Sequence, residues 1–352
     1  MDVSQWPVVV LGLWKTVVLL YDVLTLPLFL LMQRPWLALQ RASRVKAQLA
    51  LRDDPYSPWV RVGEPSSVLD FLFQDVHNLG DFYRKVLNHY STRKCYGYRK
   101  VFAEEQEKQP NGKVFRKLLL SDHYTWVTFQ ETDRQIDELA AGFAAHGIRQ
   151  GDRVVLFAET RPEWILSFHA LLRIGATVTT LYATLGDEGI IHAVNETEVS
   201  HIITSSDLLN KLAKLSPQTP LVKCLIYMEE TYKKAKPNLA AFSSTQVLPF
   251  SQVIEDGRNG AALPAAHVQP HDIAVMMYTS GSTGTPKAVM ISHSNVMNAV
   301  KSVVGAIMGD MGLTEGDVFL AYLPTAHIFE LVCELSVTFV GIAMVSNLVD
   351  CV

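Results

Sequence analysis

The residues whose types and spacing could do chemistry lie in one segment, Asp272–Asn295, DIAVMMYTSGSTGTPKAVMISHSN. Ile273–Tyr278 is a continuous apolar run, as expected of a strand buried on both faces. It breaks into Thr279, Ser280, Gly281, Ser282, Thr283, Gly284, Thr285, Pro286 and Lys287. A second apolar run, Ala288–Ile291, follows, and Ser292-His293-Ser294-Asn295 opens a helix. Two glycines let the backbone take positive φ and turn successive N–H groups into one concavity that suits an anion. The hydroxyls add donors to phosphate oxygens or a ligand to a metal ion, and Lys287 adds a mobile point charge. The pattern is neither a Walker A loop nor G-x-G-x-x-G, so a dinucleotide fold is not supported. The plain alternative is a flexible Ser/Gly hairpin loop, which needs no all-hydroxyl stretch ending in Pro-Lys between two buried strands.

The elements that must position this loop read as α/β. Thr128 and Glu131 have the spacing of a capping box before the amphipathic stretch ETDRQIDELAAGFAAHG, which Gly147 stops. Arg153–Ala158 reads as a strand. Pro162 sits at a first helical position before EWILSFHALLRIG. Ala176–Leu181 predicts a strand, Asp187–Asn195 a helix, His201–Thr204 a strand, Asp207–Lys214 a helix and Leu221–Met228 a strand. Such alternation with short connections implies parallel-rich sheets covered by helices. Residues 47–120 are mixed and polar, and Glu104–Lys113, with its Pro110-Asn111-Gly112 turn signal, reads as a surface loop. Lys233–Pro270, rich in Pro, Ala and Ser, reads as a surface connection carrying a short strand, Gln246–Phe250.

Composition narrows the class. Of 352 residues, 49% are apolar and 19% charged, which excludes a disordered or collagen-like chain. The net charge of −4 gives no case for nucleic acid as a partner. Cys95, Cys224, Cys333 and Cys351 are scattered without a metal-ligand spacing, which points to a reducing compartment rather than a disulfide framework.

Residues Trp6–Met32 form a long apolar stretch in which only Lys15 and Asp22 are charged. It is long enough for the roughly 20 residues that cross a hydrocarbon core. Two charges at about 2.5–3.5 kcal/mol each are about offset by sixteen Leu, Val and Phe. A cleavable signal peptide lacks support, since no basic n-region or A-x-A site is present. A buried helix of a soluble core and a membrane anchor, spanning or bent into a hairpin at Pro27, both remain open, and the anchor is the favoured expectation. Arg34, Arg41, Arg44 and Lys46 follow it, which places the rest of the chain in the cytoplasm. Leu335–Val349 is a second apolar stretch, short for a span.

The pattern Y-T-S-G-S-T-G-x-P-K-x-V followed by H-x-N resembles the phosphate-binding signature of the AMP-forming (adenylate-forming) acyl-CoA synthetases. Ala288 stands where that family usually has Gly. Leu323-Pro324-Thr325-Ala326-His327-Ile328-Phe329-Glu330 is similar to the family's L-P-x-x-H-x-x-E block. Alone, His327 would read as a core or helix-capping histidine. FAETRPEW (157–164), TLYATLGDEGIIHAVNETEV (180–199) and HIITS (201–205) are similar to the long-chain fatty-acid branch. The apolar N-terminus and PNGKVFRKLLL (110–120) are most similar to its membrane-bound animal group, long-chain acyl-CoA synthetases 3 and 4.

The resemblance implies a long-chain fatty-acid–CoA ligase that consumes ATP and CoA, with Mg²⁺ and a fatty acid bound beside the nucleotide. Thr279, Ser280, Gly281, Ser282, Thr283 and Gly284 would cradle the β- and γ-phosphates. Thr279 would add a hydroxyl to Mg²⁺, Lys287 would neutralise phosphate charge, and His327 would orient the carboxylate. Tyr182 and Thr184 serve either the ligand side or packing. The implied architecture is an anchor with its basic flank (1–46), then part of the large N-terminal domain of the adenylate-forming fold (47–352). The small C-terminal domain is not found. The family is roughly twice this length, so a truncated form is expected, with a non-catalytic, weakly nucleotide-binding or regulatory fragment as the alternative. Membrane lipid along residues 6–32 and an endoplasmic-reticulum location are implied, with lipid droplet, mitochondrial outer membrane and peroxisome as others.

A glycosylation acceptor placed near residue 110 stays unmodified in microsomes if the bulk of the chain is cytoplasmic; modification refutes that orientation. Deleting residues 1–33 should release the chain from membranes, and persistent tight association would show a second attachment.

Overall fold

The chain opens with α1 (Trp6–Gln33), a single helix of 28 residues in the computed structural model. Residues 6–346 are described, apart from 44, 46, 52, 55, 58, 63–71, 110, 111, 113, 231, 233–238, 243, 244, 261, 262, 264, 280–285 and 307–312. Contacts divide the chain into two units, Met1–Pro65 and Ser66–Val352.

In the first unit α1 runs continuously through Pro27, so that proline makes no hairpin. Thr16 and Thr25 donate their hydroxyls to Gly12 O at 3.0 Å and Tyr21 O at 2.8 Å, which leaves these polar groups satisfied within the helix. Val10–Gln33 is long and apolar enough to cross a membrane. The break comes at Arg34, where φ is +45° and the following proline disfavours helical backbone. α2 (Pro35–Ala42) follows, then β1 (Ala47–Leu49) paired antiparallel with β2 (Trp59–Arg61).

The second unit carries the alternation. α3 (Leu79–His89) is N-capped by Asn78, whose Oδ1 accepts the Asp81 N–H at 3.0 Å. β3 (Lys94–Tyr98), the hairpin β4 (Val101–Lys108) and β5 (Val114–Leu120), and β6 (Thr125–Thr128) come next. α4 (Phe129–Ala145) starts on the expected Thr128/Glu131 capping box and ends at Gly147, with φ +99°. Then β7 (Arg153–Phe157), α5 (Pro162–Arg173), β8 (Thr177–Leu181), α6 (Asp187–Glu196), β9 (His201–Ser205), α7 (Leu209–Leu215) and β10 (Cys224–Met228) alternate as read from the sequence. β11 (Gln246–Pro249), α8 (Phe250–Arg258), β12 (Ile273–Thr279), β13 (Lys287–Ser292), α9 (His293–Ala306), β14 (Val318–Ala321), α10 (Ile328–Phe339) and β15 (Ala343–Ser346) complete it.

The strands form a seven-stranded sheet of order β11-β10-β9-β7-β8-β12-β13 and a four-stranded sheet of order β14-β15-β3-β6, besides the free-standing β4–β5 hairpin. The first sheet is parallel except for β13, which pairs antiparallel with β12. One large core joins the helices: Trp164 and Phe168 of α5, Phe82 of α3 and Phe339 of α10 are fully buried. Phe82 and Phe339 stack at 5.0 Å, and Tyr83 donates its hydroxyl to Leu335 O at 2.6 Å.

Three expectations need correction. Glu104–Lys108, the first half of the stretch Glu104–Lys113, is strand rather than loop, because residues 101–108 find partners in 114–120. Lys233–Pro270 contains α8, whose Phe250 and Val253 are buried. The second apolar run around the glycine loop is an edge strand, with Val289 46% and Met290 64% exposed, rather than a buried one. The apolar stretch from Leu335, short for a span, packs into the core: Leu335, Val337, Phe339 and Ala343–Val345 are buried.

α8 crosses α4 at backbone contact. A Cβ on Gly142 would stand 2.0 Å from Val253 O, and one on Gly257 would stand 1.8 Å from Glu138 O. The two glycines therefore set the crossing distance. Gly257→Ala should cost about 1–3 kcal/mol by overpacking. That lowers the unfolding midpoint by several degrees, at roughly 2–4 °C per kcal/mol. Gly186→Ala, which meets nothing within 4 Å, is the control. Equal midpoints for both variants by thermal scan would show that the helices separate without strain.

Candidate active site

The parallel strands point their C-terminal ends to one side, where ligands bind in open α/β sheets. β12 lies beside β8 in the register Val275–Val178 and Met277–Thr180, so Thr279 leaves its strand near Tyr182. Lys287 opens β13 directly opposite Thr279, and Thr279 Oγ1 reaches Lys287 O at 3.5 Å. Both side chains are exposed at the mouth of the loop. Ser280, Gly281, Ser282, Thr283 and Gly284 lie outside the described residues. Pro286 O is held by His192 Nε2 at 3.1 Å, which requires the His192 proton on that nitrogen. Tyr278 bonds its hydroxyl to Glu196 Oε2 at 2.5 Å, and burial with this partner raises its pKa.

His327 arrives from the other sheet. It follows β14, stands at the N-cap of α10, and its Nδ1 accepts the Phe329 N–H at 3.1 Å. With Nδ1 so used, the proton of the neutral ring resides on Nε2, which is the nitrogen able to donate to an anion. The capping role that His327 would have alone is thus realised by one nitrogen only. The ring is exposed, and its centroid lies 6.4 Å from that of Tyr182. Thr180 of β8 donates to Ala326 O at 3.2 Å, so the strand beside β12 also fastens the His327 turn. Thr279, Lys287, Tyr182 and His327 therefore share one end of the fold, whereas Thr184 is exposed on the connection after Tyr182.

Beneath the turn lies a polar layer that sequence reasoning missed. Thr160, on the connection after β7, bonds Leu323 O at 2.7 Å and the Thr325 N–H at 3.0 Å. Thr325 Oγ1 lies 2.9 Å from Glu334 Oε1. Glu330 and Glu334 are 2% and 3% exposed. Burial pushes their carboxyls up to about 7 and about 8, and Glu330 Oε1 has no hydrogen-bond partner. The signal available was FAETRPEW, which places a threonine just past a strand's C-terminal end.

Two signature residues prove structural. His293 is 1% exposed, and its Nδ1 accepts the Leu79 N–H at 3.2 Å, tying α9 to the start of α3; burial lowers its pKa to about 4. Asn295 and Ser292 cap α9 reciprocally, with Ser292 N–H donating to Asn295 Oδ1 at 3.1 Å and Asn295 N–H to Ser292 Oγ at 3.2 Å.

Among the described residues no group of three or more His, Cys, Asp or Glu could hold a metal ion. A single hydroxyl such as Thr279 suits Mg²⁺ that arrives on nucleotide phosphates, since this ion binds through few protein ligands and keeps substrate oxygens.

Comparison with known proteins gives a family and a fold. The family described as AMP-binding enzyme matches residues 102–347. Long chain acyl-CoA synthetase 8 of Arabidopsis thaliana is 32% identical over 286 residues, 81% of this chain and 39% of the relative. Long-chain-fatty-acid–CoA ligase 1 of Schizosaccharomyces pombe is 30% identical over 308 residues, covering 81% and 44%. The chain thus spans about two fifths of the length of these relatives. In fold it is similar to the adenylation domain of a carboxylate reductase from Mycobacterium chelonae, with TM-score 0.67, 21% identity and coverage of 80% and 44%. The A domain of a carboxylic acid reductase from Segniliparus rugosus, solved with AMP and a co-purified carboxylic acid, gives TM-score 0.65 at 20% identity, covering 80% and 46%.

The buried acids make stability depend on pH. Glu334 titrates near 8 in the folded chain against an ordinary 4.5, so the folded state binds the extra proton between those values. Stability therefore falls as pH rises through that window. His169 and His293, held to about 3 and about 4 by burial, act in the opposite sense below about 6.5, so the clean interval is roughly pH 6.5–8. Denaturant titrations across it should show a decline that Glu334→Gln flattens; parallel curves would mean that Glu334 is already ionised.

Proposed function

The chain belongs to the AMP-binding enzyme family, and from that membership we propose that it builds the phosphate and carboxylate side of a long-chain fatty-acid–CoA ligase site. A fatty carboxylate attacks the α-phosphorus of Mg-ATP, giving acyl-AMP and pyrophosphate; the CoA thiol then displaces AMP. The first step gathers several anionic oxygens in one place and must offset their charge. Thr279 and the loop 280–285 gather the phosphates, and Lys287 supplies the cation opposite Thr279. His327 presents its Nε2–H to the carboxylate. The observation that carries this reading is the meeting of two sheets at one end: the loop mouth from β12–β13 and the His327 turn are both held by β8. A long acyl chain partitions into lipid, which suits α1 as a membrane anchor with the second unit in the cytoplasm. The endoplasmic reticulum is the proposed membrane.

ATP–pyrophosphate exchange driven by a long-chain fatty acid tests the reading. Lys287→Ala should slow exchange about 10- to 150-fold, the range of a lost charge-assisted phosphate contact. His327→Ala should lower it with little change in ATP affinity. The chain spans about two fifths of its relatives, so exchange is measured in a version completed with the family's remaining segments; no exchange by that version, unsubstituted, refutes the ligase reading. Unchanged exchange in Lys287→Ala refutes the phosphate role.

A further inference from the structure

The segment Leu323–His327 is irregular backbone at the meeting of two sheets, yet Thr325 is only 2% exposed. Its polar groups are met from below. Thr160 Oγ1 lies 2.7 Å from Leu323 O and 3.2 Å from Thr325 Oγ1, and it accepts the Thr325 N–H. Thr325 Oγ1 continues to Glu334 at 2.9 Å. Each hydroxyl has one proton to give. A carbonyl can only accept, so the Thr160 proton goes to Leu323 O. Thr160 Oγ1 accepts the Thr325 N–H at 3.0 Å. The Thr325 hydroxyl gives its single proton to Glu334 Oε1 at 2.9 Å, the shorter of its two contacts, and closes the chain.

We propose that Thr160 and Glu334 are positioning residues: the hydrogen-bond chain Glu334–Thr325–Thr160–Leu323 O fixes the turn that carries His327. Thr160 belongs to the seven-stranded sheet's β7–α5 connection and Glu334 to α10 behind the four-stranded sheet. The chain therefore locks the histidine relative to the phosphate loop. Glu330 and Cys333 on α10 are the titratable neighbours of Glu334, and burial holds the Glu330 and Glu334 carboxyls well above their ordinary range. The need for His327 to be so placed rests on the ligase reading; the placement itself does not.

Hydrogen–deuterium exchange on the full chain in detergent separates the two. Thr160→Val should speed exchange of the amides of 325–329 roughly 10-fold, the effect of losing a buried hydrogen bond. Peptides of β7, β8 and β9 should stay unchanged, and Thr160→Ser should restore protection. Glu334→Gln, which keeps an oxygen to accept from Thr325, should match the parent chain, whereas Glu334→Leu should loosen the same peptide. If Thr160→Val does not accumulate as folded protein, Thr325→Val removes the same link. Protection unaltered by these variants, acceleration spread over the whole chain, or Glu334→Gln behaving like Glu334→Leu would each overturn the proposal. Where the parent chain shows acyl-AMP formation, Thr160→Val should lower kcat with the ATP KM unchanged. No turnover by the completed version, with the segment still protected, would refute the ligase reading alone.

Discussion

The lateral pairing of β12 with β8 is the interaction on which the site depends. It joins residues about a hundred positions apart, Val275 with Val178 and Met277 with Thr180, and no local propensity specifies it. β8 is fully buried, yet three of its five residues are threonines. Two of them work as side-chain ties: Thr177 donates to Ile273 O at 2.8 Å, at the start of β12, and Thr180 donates to Ala326 O. One strand thus fixes both the origin of the glycine loop and the turn bearing His327. A buried hydroxyl left without such a partner costs on the order of 1–3 kcal/mol, so these ties also hold the threonines to their places.

The groups that would meet an anion are exposed, whereas the groups that hold them are not. Thr279, Lys287 and His327 are open to solvent. Thr160, Thr180, Thr325 and Glu334 form the layer below, and three of these four are 3% exposed or less. His192 adds a lateral support at Pro286, just where the loop re-enters strand. A solvent-facing cation such as Lys287 costs little to keep charged, and a rigid support keeps the His327 turn in place. The division assigns charge to the rim and shape to the interior.

Much of this was legible from residue patterns. Period and punctuation gave the alternation from Thr128 to Met228, and the capping box at Thr128–Glu131 appeared as expected. The loop between Thr279 and Lys287 stood out because glycine, hydroxyl and lysine have a common use. α8 was not legible, because its short amphipathic run is masked by proline and serine on both sides and is stabilised through Gly142 and Gly257, a tertiary contact. β13 read as buried because its residues are apolar, but its place at the sheet edge is set by topology alone. The Thr160–Glu334 layer was invisible for the same reason: its members are distant in sequence and unremarkable one by one. His293 and Asn295 belong to a signature yet serve helix ends, so motif membership did not separate chemistry from capping.

The four-stranded sheet draws β3 and β6 from before the seven-stranded sheet, and β14 and β15 from after it. Ala343, the start of the strand that pairs with β3, follows Thr128 by 343 − 128 = 215 positions of chain. During synthesis at roughly 5–20 residues per second, the β3–β6 pair waits about 10–40 s before its partners leave the ribosome. Throughout that interval the inner edge of β3, with Tyr96 and Gly97, is a template with no strand to receive it. The seven-stranded sheet has time to fold first, because every strand it needs up to β13 emerges earlier. Order of emergence therefore makes the larger sheet the platform and the smaller one the closing piece, and a nascent chain stalled between the two would expose an open strand edge to chaperones.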